Sequence, residues 1–303
     1  MSRRLNLILL ALLLAIGLPS YWLLFDNRPG DNPAKPLHIA ELRMLAASLP
    51  GPAPSGVESE LVASRHIPGT LFAAGSGLKQ QLLGIMAFRL PVPGGAPIVI
   101  DSGMPQAVSD EMGMEKFYPE AQARVNAALR QSGIILITHE HADHLGGVVG
   151  LGDKAMLAKV RFNRDQLPGN RWTDLLRWPQ GPLPAPSIAG PAPVAVAPGV
   201  VVIPAPSHTP GSQMVFVRLG DGREFLFAGD IATMAQSWTE LRARSRLIGD
   251  WLAPEQRGEV FAWLRTIRAL KAEAPRLEVI AGHDFERIDD HKGRRGIRKG
   301  FQP

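Results

Sequence analysis

A cluster of metal-binding residue types constrains this chain more than any other stretch of its sequence. The segment "ITHEHADHLGG", residues 137–147, continues an apolar run and holds four candidate ligands: His139, His141, Asp143 and His144. The apolar run predicts a buried strand, and alternate side chains of an extended segment face the same way. His139 and His141 are therefore expected to point at one ion. Asp143 and His144 lie where the chain turns and are expected to face a second.

Three more candidate ligands each follow a predicted strand. His208 lies in "SHTPGS" after "VVVIPAP", Asp230 ends "EFLFAGD", and His283 lies in "LEVIAGHD". Taken singly, they have ordinary structural explanations as a turn residue, a helix cap and a loop histidine. Together with the cluster, they place most of the eight histidines at strand ends. Imidazole and carboxylate ligands in such a group suit zinc, and iron or manganese accept the same ligand types.

The order of predicted elements indicates a mixed α and β protein. Apolar runs such as "LLGIMAFRL", "MVFVRL" and "EFLFAGD" predict strands, some of them joined by hairpin turns. Residues 120–131 and the stretch after Pro254 carry apolar residues at helical spacing. Turn-rich composition at 26–59 predicts a linker, so we place the folded domain at 60–290 and a basic tail at 291–303.

Residues 1–25 are predicted to form a signal-anchor or a signal peptide. Arg3 and Arg4 precede an uncharged run from Leu5 to Phe25, and about 20 apolar residues suffice to span a bilayer. The arginines are expected to stay in the cytoplasm, which places the body on the periplasmic, extracytoplasmic side. The alternative is cleavage at the small-x-small triplet "AIG", residues 15–17, which would release the body into the periplasm.

The charge distribution argues against a nucleic-acid partner. The pI is about 9.8 and the net charge is +5, but the basic residues concentrate at the termini and leave the body close to neutral. A phosphate-binding groove needs a basic surface on the body itself. The chain has no cysteine, which excludes disulfides, thiolate metal ligands and cysteine nucleophiles. The expected partners are a small-molecule substrate and, through residues 5–25, the membrane.

The motifs "THEHADHLGG", "SHTPGS", "FAGD" and "AGHD", in this order, resemble the metallo-β-lactamase superfamily over roughly residues 60–290. The resemblance implies an α+β fold, the αββα sandwich, in which two β-sheets face each other with helices outside and metals at one edge. It implies two ions, with Zn²⁺ expected, that are held by seven side chains: His139, His141 and His208 on one ion, Asp143, His144 and His283 on the other, and Asp230 bridging both.

The bridging Asp230 narrows the activity that the resemblance implies. Glyoxalase II-like thioesterases, lactonases and RNase Z-like nucleases carry such an aspartate, whereas true β-lactamases of this fold usually lack it. The stretch "GHDFE" looks like the matching stretch of quorum-signal lactonases. Two positions depart from that pattern: Ser212 ends "HTPGS" where the motif has histidine, and no tyrosine closely follows Asp230. Asp101, in "IVIDSG", matches an early strand-end aspartate and is expected to orient ligands, with turn capping as the alternative.

The expected function is that of a dinuclear metal-dependent hydrolase. Two cations lower the pKa of a shared water, so that a metal-bridging hydroxide attacks a lactone, ester or thioester. Asp143 is expected to orient this hydroxide or to pass a proton to the leaving group. The alternatives are a phosphodiesterase or nuclease, a β-lactamase of the same fold, and a non-enzymatic metal-binding scaffold domain. Four tryptophans are candidates for an apolar substrate wall or for ordinary packing: Trp172, Trp178, Trp238 and Trp251.

Overall fold

The computed structural model describes residues 3–289 and 296–302. Its helices and strands follow in the order α1 (Arg3–Leu24), α2 (Ile39–Ala46), β1 (Val57–Pro68), α3 (Gly69–Phe72), β2 (Gln80–Leu90), β3 (Ile98–Ile100), α4 (Gln106–Glu111), β4 (Lys116–Phe117), α5 (Pro119–Gln131), β5 (Ile134–Leu136), α6 (Ala142–Gly150), α7 (Lys154–Leu157), β6 (Val194–Ala197), β7 (Val200–Pro204), β8 (Gln213–Arg218), β9 (Glu224–Gly229), α8 (Ala235–Thr239), α9 (Arg257–Glu273), β10 (Glu278–Ala281), α10 (Phe285–Ile288) and β11 (Ile297–Lys299). A π-helical turn, Leu247–Leu252, precedes α9.

Two β-sheets pack face to face. The first has the strand order β11-β1-β2-β3-β5, with β4 also paired to β1, and the second has the order β10-β9-β8-β7-β6. Apolar side chains from both sheets fill the space between them, including Phe88 of β2 and Phe227 of β9, whose ring centroids lie 4.9 Å apart in an edge-to-face arrangement. This shared core fixes the position of one sheet on the other.

Helices cover the outer face of each sheet. Leu42 of α2 and Phe261 of α9 belong to one buried cluster with Phe216 of the second sheet. Val125 of α5 belongs to another cluster with Val99 of the first sheet. The order of layers is therefore helix, sheet, sheet, helix. The αββα sandwich expected from the motifs is confirmed.

The segment at 26–59, which was expected to be a linker, belongs partly to the folded domain. It contains α2 and the start of β1, and Leu42 is fully buried against the second sheet. Glu273 of α9 accepts a hydrogen bond from the Ile39 amide at 2.9 Å, which fixes the start of α2. The turn-rich residues on both sides obscured this short apolar stretch in the sequence, so the expected domain boundary at residue 60 was wrong.

The predicted basic tail at 291–303 also contains a structured part. β11 pairs in parallel with β1, and Phe301 is buried with its amide donating to Glu60 at 2.8 Å. Arg298 forms an ion pair with the buried Glu58 at 3.1 Å. The basic residues of β11 therefore belong to a strand at the edge of the first sheet and do not form a solvated tail. Residues 291–295 of the predicted tail lie outside the described residues.

The N-terminal segment forms one continuous apolar helix. Among the residues that the structure describes, α1 is the helix long and apolar enough to cross a membrane, and none of its 22 residues is buried. A helix of this length rises about 33 Å, which matches the hydrocarbon core of a bilayer. An unburied apolar helix is unfavourable in water, so its composition suits a lipid environment.

Candidate metal centre

The predicted ligands converge because several strands end at the same edge of the sandwich. β5 ends just before His139, and α6 then begins at Ala142, so that Asp143 and His144 occupy its first turn. From the second sheet, β7, β9 and β10 run in the same direction and end shortly before the other three candidates. Those three are His208, Asp230 and His283. Each sheet therefore contributes ligands to one buried cluster.

The seven side chains form two groups. Within each group, the ligand atoms lie within 4.8 Å of one another. One group is His139, His141, His208 and Asp230, and the other is Asp143, His144 and His283. Asp230 lies between them. Its Oδ2 is 3.8 Å from His208 Nε2 and 3.0 Å from His283 Nε2, and its Oδ1 is 3.7 Å from His144 Nε2. The carboxylate thus reaches toward both groups, as a bridging ligand must.

The donor atoms of this cluster fit divalent cations better than they fit one another. His141 Nδ1 lies 3.0 Å from His139 Nε2 and 3.3 Å from His208 Nε2, so three imidazole nitrogens face one point. Among the described residues, His144 Nε2 and Asp230 Oδ1 are buried without a hydrogen-bond partner. Buried polar atoms are normally paired, and such an exception requires an explanation. A metal ion at each group would satisfy these atoms.

Burial sets the protonation of the first group. It lowers the pKa values of His139, His141 and His208 well below the ordinary range, and the neighbouring histidine charges add to this for His139. Their imidazoles are therefore neutral near pH 7. A histidine must be deprotonated to bind metal, so these rings require no proton release before they act as ligands.

Charge pairing dominates in the second group. Burial opposes ionisation of Asp143, but the adjacent His144 outweighs it and lowers the pKa of the carboxyl. Burial likewise opposes protonation of His144, but Asp143 and Asp101 outweigh it and raise the pKa of that ring. The same balance holds for Asp230 of the first group, where burial is outweighed by His283 and Arg244 and the pKa of the carboxyl falls well below its usual value. Both carboxylates are thus ionised, as metal ligands must be.

An apolar cavity of about 620 Å³ opens directly above the two groups. Asp143, Asp230 and His283 lie at its floor, and its walls include Phe72, Ile85, Met114, Trp172 and Ile248. The Trp172 ring stands edge-on to His141, with centroids 4.4 Å apart. A concave, mostly apolar pocket with a few convergent polar groups is the usual form of a small-molecule site.

The comparisons with known proteins agree with this geometry. The family model described as "Metallo-beta-lactamase superfamily" matches residues 90–283, which is more than half of the chain. The chain belongs to the metallo-beta-lactamase superfamily. As a member with this fold and this cluster of side chains, it is a metal-dependent hydrolase. A comparison with curated proteins finds no match.

Solved structures with a similar fold share little sequence with this superfamily member. An N-acyl homoserine lactone hydrolase with N-hexanoyl-L-homoserine at its catalytic metal centre is 17% identical, with a TM-score of 0.59 over 78% of this chain and 96% of that one. A quorum-quenching N-acyl homoserine lactone lactonase is 15% identical, with a TM-score of 0.60 over 79% and 96%. A probable metal-dependent hydrolase from Staphylococcus aureus is 12% identical, with a TM-score of 0.52 over 78% and 91%. At these identities the likeness concerns the fold.

Two of the candidate ligand histidines of this superfamily member have a partner for their second ring nitrogen outside the two ligand groups. His144 Nδ1 donates to Asp101 at 2.8 Å, and His283 Nδ1 donates to the Gly84 carbonyl at 2.9 Å. Asp101 also accepts hydrogen bonds from the amide and hydroxyl of Thr138, which precedes the cluster. Such partners fix ring orientation and tautomer. Asp101 therefore has the orienting contact that the family resemblance implies, beyond capping a turn.

Glu255 performs the same task for His208, and the sequence motifs did not indicate it. Its Oε2 lies 3.0 Å from His208 Nδ1, and both side chains are buried. Burial raises the pKa of Glu255 to about 7, although Arg244 opposes the shift. The residue stands in an irregular segment just before α9, where no spacing relates it to the histidine motifs. Only the packing of that segment against "SHTPGS" brings the carboxyl to His208.

Glu255→Gln is expected to weaken metal binding by the group that contains His208. The amide is a poorer acceptor for the imidazole N–H, and loss of such partners typically costs about 10–100-fold in metal affinity. Competition against a chromophoric chelator, with zinc added stepwise to metal-free protein, measures the affinity. Glu259→Gln is the matched control, because Glu259 forms a surface ion pair with Lys35. Equal zinc affinities for both variants and the wild type would remove Glu255 from the site.

A further buried residue, Glu140, joins two of the ligand-bearing loops. Glu140, between the first two histidines, accepts hydrogen bonds from Thr209 Oγ1 at 2.6 Å and the Gly211 amide at 3.1 Å. A Cβ at Gly211 would lie 2.5 Å from Glu140, so only glycine fits there. Ser212 Oγ accepts from the Thr209 amide at 2.9 Å. Ser212, the departure from the lactonase motif, is therefore turned into its own loop and does not face the cluster.

Arg244 brings a buried positive charge to the floor of the pocket. Its guanidinium hydrogen-bonds Asp230 and, through Nε, Thr233 Oγ1 at 3.1 Å, and it lies over the Phe72 ring at 5.2 Å. Arg244 also lines the apolar cavity. It belongs to the run "RARSR", which has the appearance of an ordinary basic surface loop in the sequence. Sequence reasoning missed it for that reason.

Two of the four tryptophans considered above pack against buried clusters and are not among the residues that line the pocket. Trp238 is buried in the cluster beneath the second sheet, and Trp178 packs against Phe162 with centroids 6.1 Å apart. Trp172 does form part of the apolar wall. Trp251 is 67% exposed and lies beside the mouth of the pocket, next to the lining residue Leu252.

Proposed function

We propose that this protein is a dinuclear metal-dependent hydrolase that acts on a lactone, ester or thioester of a small molecule. The position of Asp230 between the two ligand groups is the observation that carries the proposal. When bound, two cations lower the pKa of a water and polarise the substrate carbonyl. His139, His141 and His208 would hold one cation. Asp143, His144 and His283 would hold the other.

Arg244 and Asp143 are the residues of the pocket floor that would act on the substrate. Arg244 would present a fixed cation to the negative charge that develops on a carbonyl or leaving oxygen, a contribution that preorganised donors make in many hydrolases. It would replace the tyrosine that the lactonase pattern leads one to expect. Asp143 Oδ2 lies 3.5 Å from His144 Nε2 and 3.6 Å from His283 Nε2, with the carboxyl facing the cavity. In that position it can orient water or carry a proton to the leaving group.

The pocket walls favour a substrate with an apolar portion. Phe72, Ile85, Met114 and Trp172 would contact such a group, whereas a nucleic acid would require cationic walls. The similarity in fold to N-acyl homoserine lactone hydrolases makes lactones the first class to test. Purified protein would be assayed on lactone, thioester, β-lactam and phosphodiester substrates. If the protein hydrolyses only phosphodiesters or only β-lactams, the proposed substrate class is wrong.

Two metal ions per chain are expected in the full-length protein purified in detergent after expression with added zinc. The two ligand groups have seven side chains for them, which suffices for a bridged pair. Elemental analysis measures the stoichiometry. His66→Ala is the matched control, because His66 is an exposed histidine that pairs with Glu115 and belongs to neither ligand group. A wild-type content of one ion or none would contradict the dinuclear site.

We further propose that α1 anchors the protein in a membrane and that the body lies on the extracytoplasmic side. Arg3 and Arg4 precede the apolar run, which favours a cytoplasmic N-terminus. Tyr21, Trp22 and Phe25 lie at the other end of the helix, where aromatic residues meet the membrane interface. Hydrogen bonds from Thr70 to the Leu24 carbonyl and from Asn27 to the Leu241 carbonyl hold the end of the helix on the body.

A further inference from the structure

The mouth of the pocket has an exposed apolar rim. Leu175 is 73% exposed, Trp251 67%, and Leu252 63%, and Met112 is exposed beside them. Leu175, Leu252 and Met112 line the outer part of the cavity that contains the ligand groups, and Trp251 is adjacent to Leu252. We call these four residues the rim. They come from three separate segments of the chain, so the apolar surface surrounds one opening instead of following one helix.

The end of α1 is fixed to the same part of the body as the rim. Arg246 lies over the Trp22 ring at 5.1 Å and pairs with Asp26 at 3.0 Å, immediately after the helix ends. Arg246 also pairs with Asp250 at 3.1 Å, within the π-helical turn that carries Trp251 and Leu252. The apolar helix and the rim are therefore joined through a single arginine.

A second connection reaches α3, another element that lines the pocket. The Thr70 hydroxyl of α3 donates to the carbonyl of Leu24, and Phe72 of the same short helix lines the cavity. Arg257 donates to the Asp26 carbonyl at 3.1 Å from the other side. Because several bonds hold residues 24–26, the exit of the helix has a defined place beside the pocket mouth.

We propose that the rim lies against the lipid bilayer that receives α1, and that the pocket takes an amphiphilic substrate directly from the membrane. The inference rests on the proposed hydrolase and anchor. A contiguous exposed apolar patch marks a contact surface, and its fixed link to an apolar helix selects lipid as the occupant. Exposed Trp251 and the Trp22–Arg246 pair suit the interfacial zone of a bilayer. The substrate class is a molecule with an apolar chain and a hydrolysable carbonyl near its polar end.

The opposite end of the sandwich offers a matched reference. Met44 of α2 is 66% exposed. α2 ends where the Gly199 amide binds the Ala46 carbonyl, at the start of β7, whereas the metal centre lies beyond the other end of β7. Met44 is thus an exposed apolar residue on the surface remote from the mouth.

The test uses the absence of cysteine from the chain, since one introduced thiol labels at one place only. Leu175→Cys, Leu252→Cys and Met44→Cys full-length proteins would each be labelled with an environment-sensitive fluorophore. They would be incorporated in nanodiscs of phosphatidylcholine and phosphatidylglycerol, with and without lipid spin-labelled near the headgroup. Circular dichroism and melting temperature verify that each labelled protein is folded.

The expected result is quenching of about two-fold or more by spin-labelled lipid at positions 175 and 252, with little change at 44. Equal quenching at all three sites, or none at 175 and 252 in chains that co-purify with nanodiscs, would overturn the proposal. Failure of the chain to enter nanodiscs would overturn it as well. Quenching does not depend on turnover, so failure of the hydrolase proposal would appear separately, in metal content and in the substrate panel.

Discussion

Asp230→Asn is expected to lower the metal content from two ions per chain to one or none and to reduce hydrolysis by more than about 100-fold. Loss of a partner that merely orients a ligand already costs about 10–100-fold, and Asp230 reaches both ligand groups itself. An amide cannot neutralise the charge of two cations. Elemental analysis and turnover on the most active panel substrate measure the two effects.

The same substitution should also destabilise the metal-free protein. Arg244 would lose its buried carboxylate partner, and an uncompensated buried charge costs about 3–5 kcal/mol. The double variant Asp230→Asn/Arg244→Met removes that charge. Its free energy of unfolding should return toward the wild-type value, whereas its metal content should stay low. If Asp230→Asn instead keeps two ions and the wild-type rate, with a loss of only ~1 kcal/mol, Asp230 acts as a helix cap and has no place among the ligands.

Arg244→Met is expected to lower kcat by about 100-fold while the metal content stays at two ions per chain. A preorganised donor at the position of developing charge typically contributes about that much, and methionine preserves much of the volume beside Phe72. In the metal-loaded protein Asp230 would have cations as partners, so we expect that loss of the guanidinium does not release the metal ions. Steady-state kinetics combined with elemental analysis separate the two effects.

Arg65→Met provides the control for this experiment. Arg65 also lines the cavity, but its guanidinium binds the Met112 carbonyl at the mouth. Its loss should leave kcat near the wild-type value. A kcat for Arg244→Met that matches the control would show that oxyanion stabilisation comes from another group. Loss of one metal ion in Arg244→Met would indicate that the arginine only holds Asp230 in place and does not act on the substrate.

Local patterns in the sequence predicted a mixed α and β protein and placed the seven candidate ligands at strand ends, whereas the sandwich and the gathering of all seven at one edge were implied by the family resemblance. Each lies next to a strand end, and strands of one sandwich that run in the same direction end at a common edge. The structure brings all seven together, and their binding of two metal ions stays a prediction. The helix after Pro254 is confirmed as α9, and the helix predicted at 120–131 as α5.

Other features depended on contacts between distant parts of the chain. β11 pairs with β1, which lies near the other end of the chain, and Arg298 of β11 forms an ion pair with the buried Glu58. β6 lies in a proline- and alanine-rich stretch, residues 181–199, whose composition is more typical of a loop than of a strand. Glu255 and Arg244 stand in irregular segments with no repeating pattern. Their roles follow from what each side chain meets after folding, which spacing along the chain does not encode.

The placement of ligands on both sheets has a consequence for the lifetime of the protein. His139 and Asp143 follow the first sheet, whereas His208 and His283 follow the second, so bound ions would cross-link the two halves of the sandwich at their open edge. A ligand that binds only the folded state raises the free energy of unfolding with the logarithm of its free concentration. Proteases degrade transiently unfolded chains in proportion to their population. Scarcity of metal would thus lower the amount of this protein as well as the activity of each molecule.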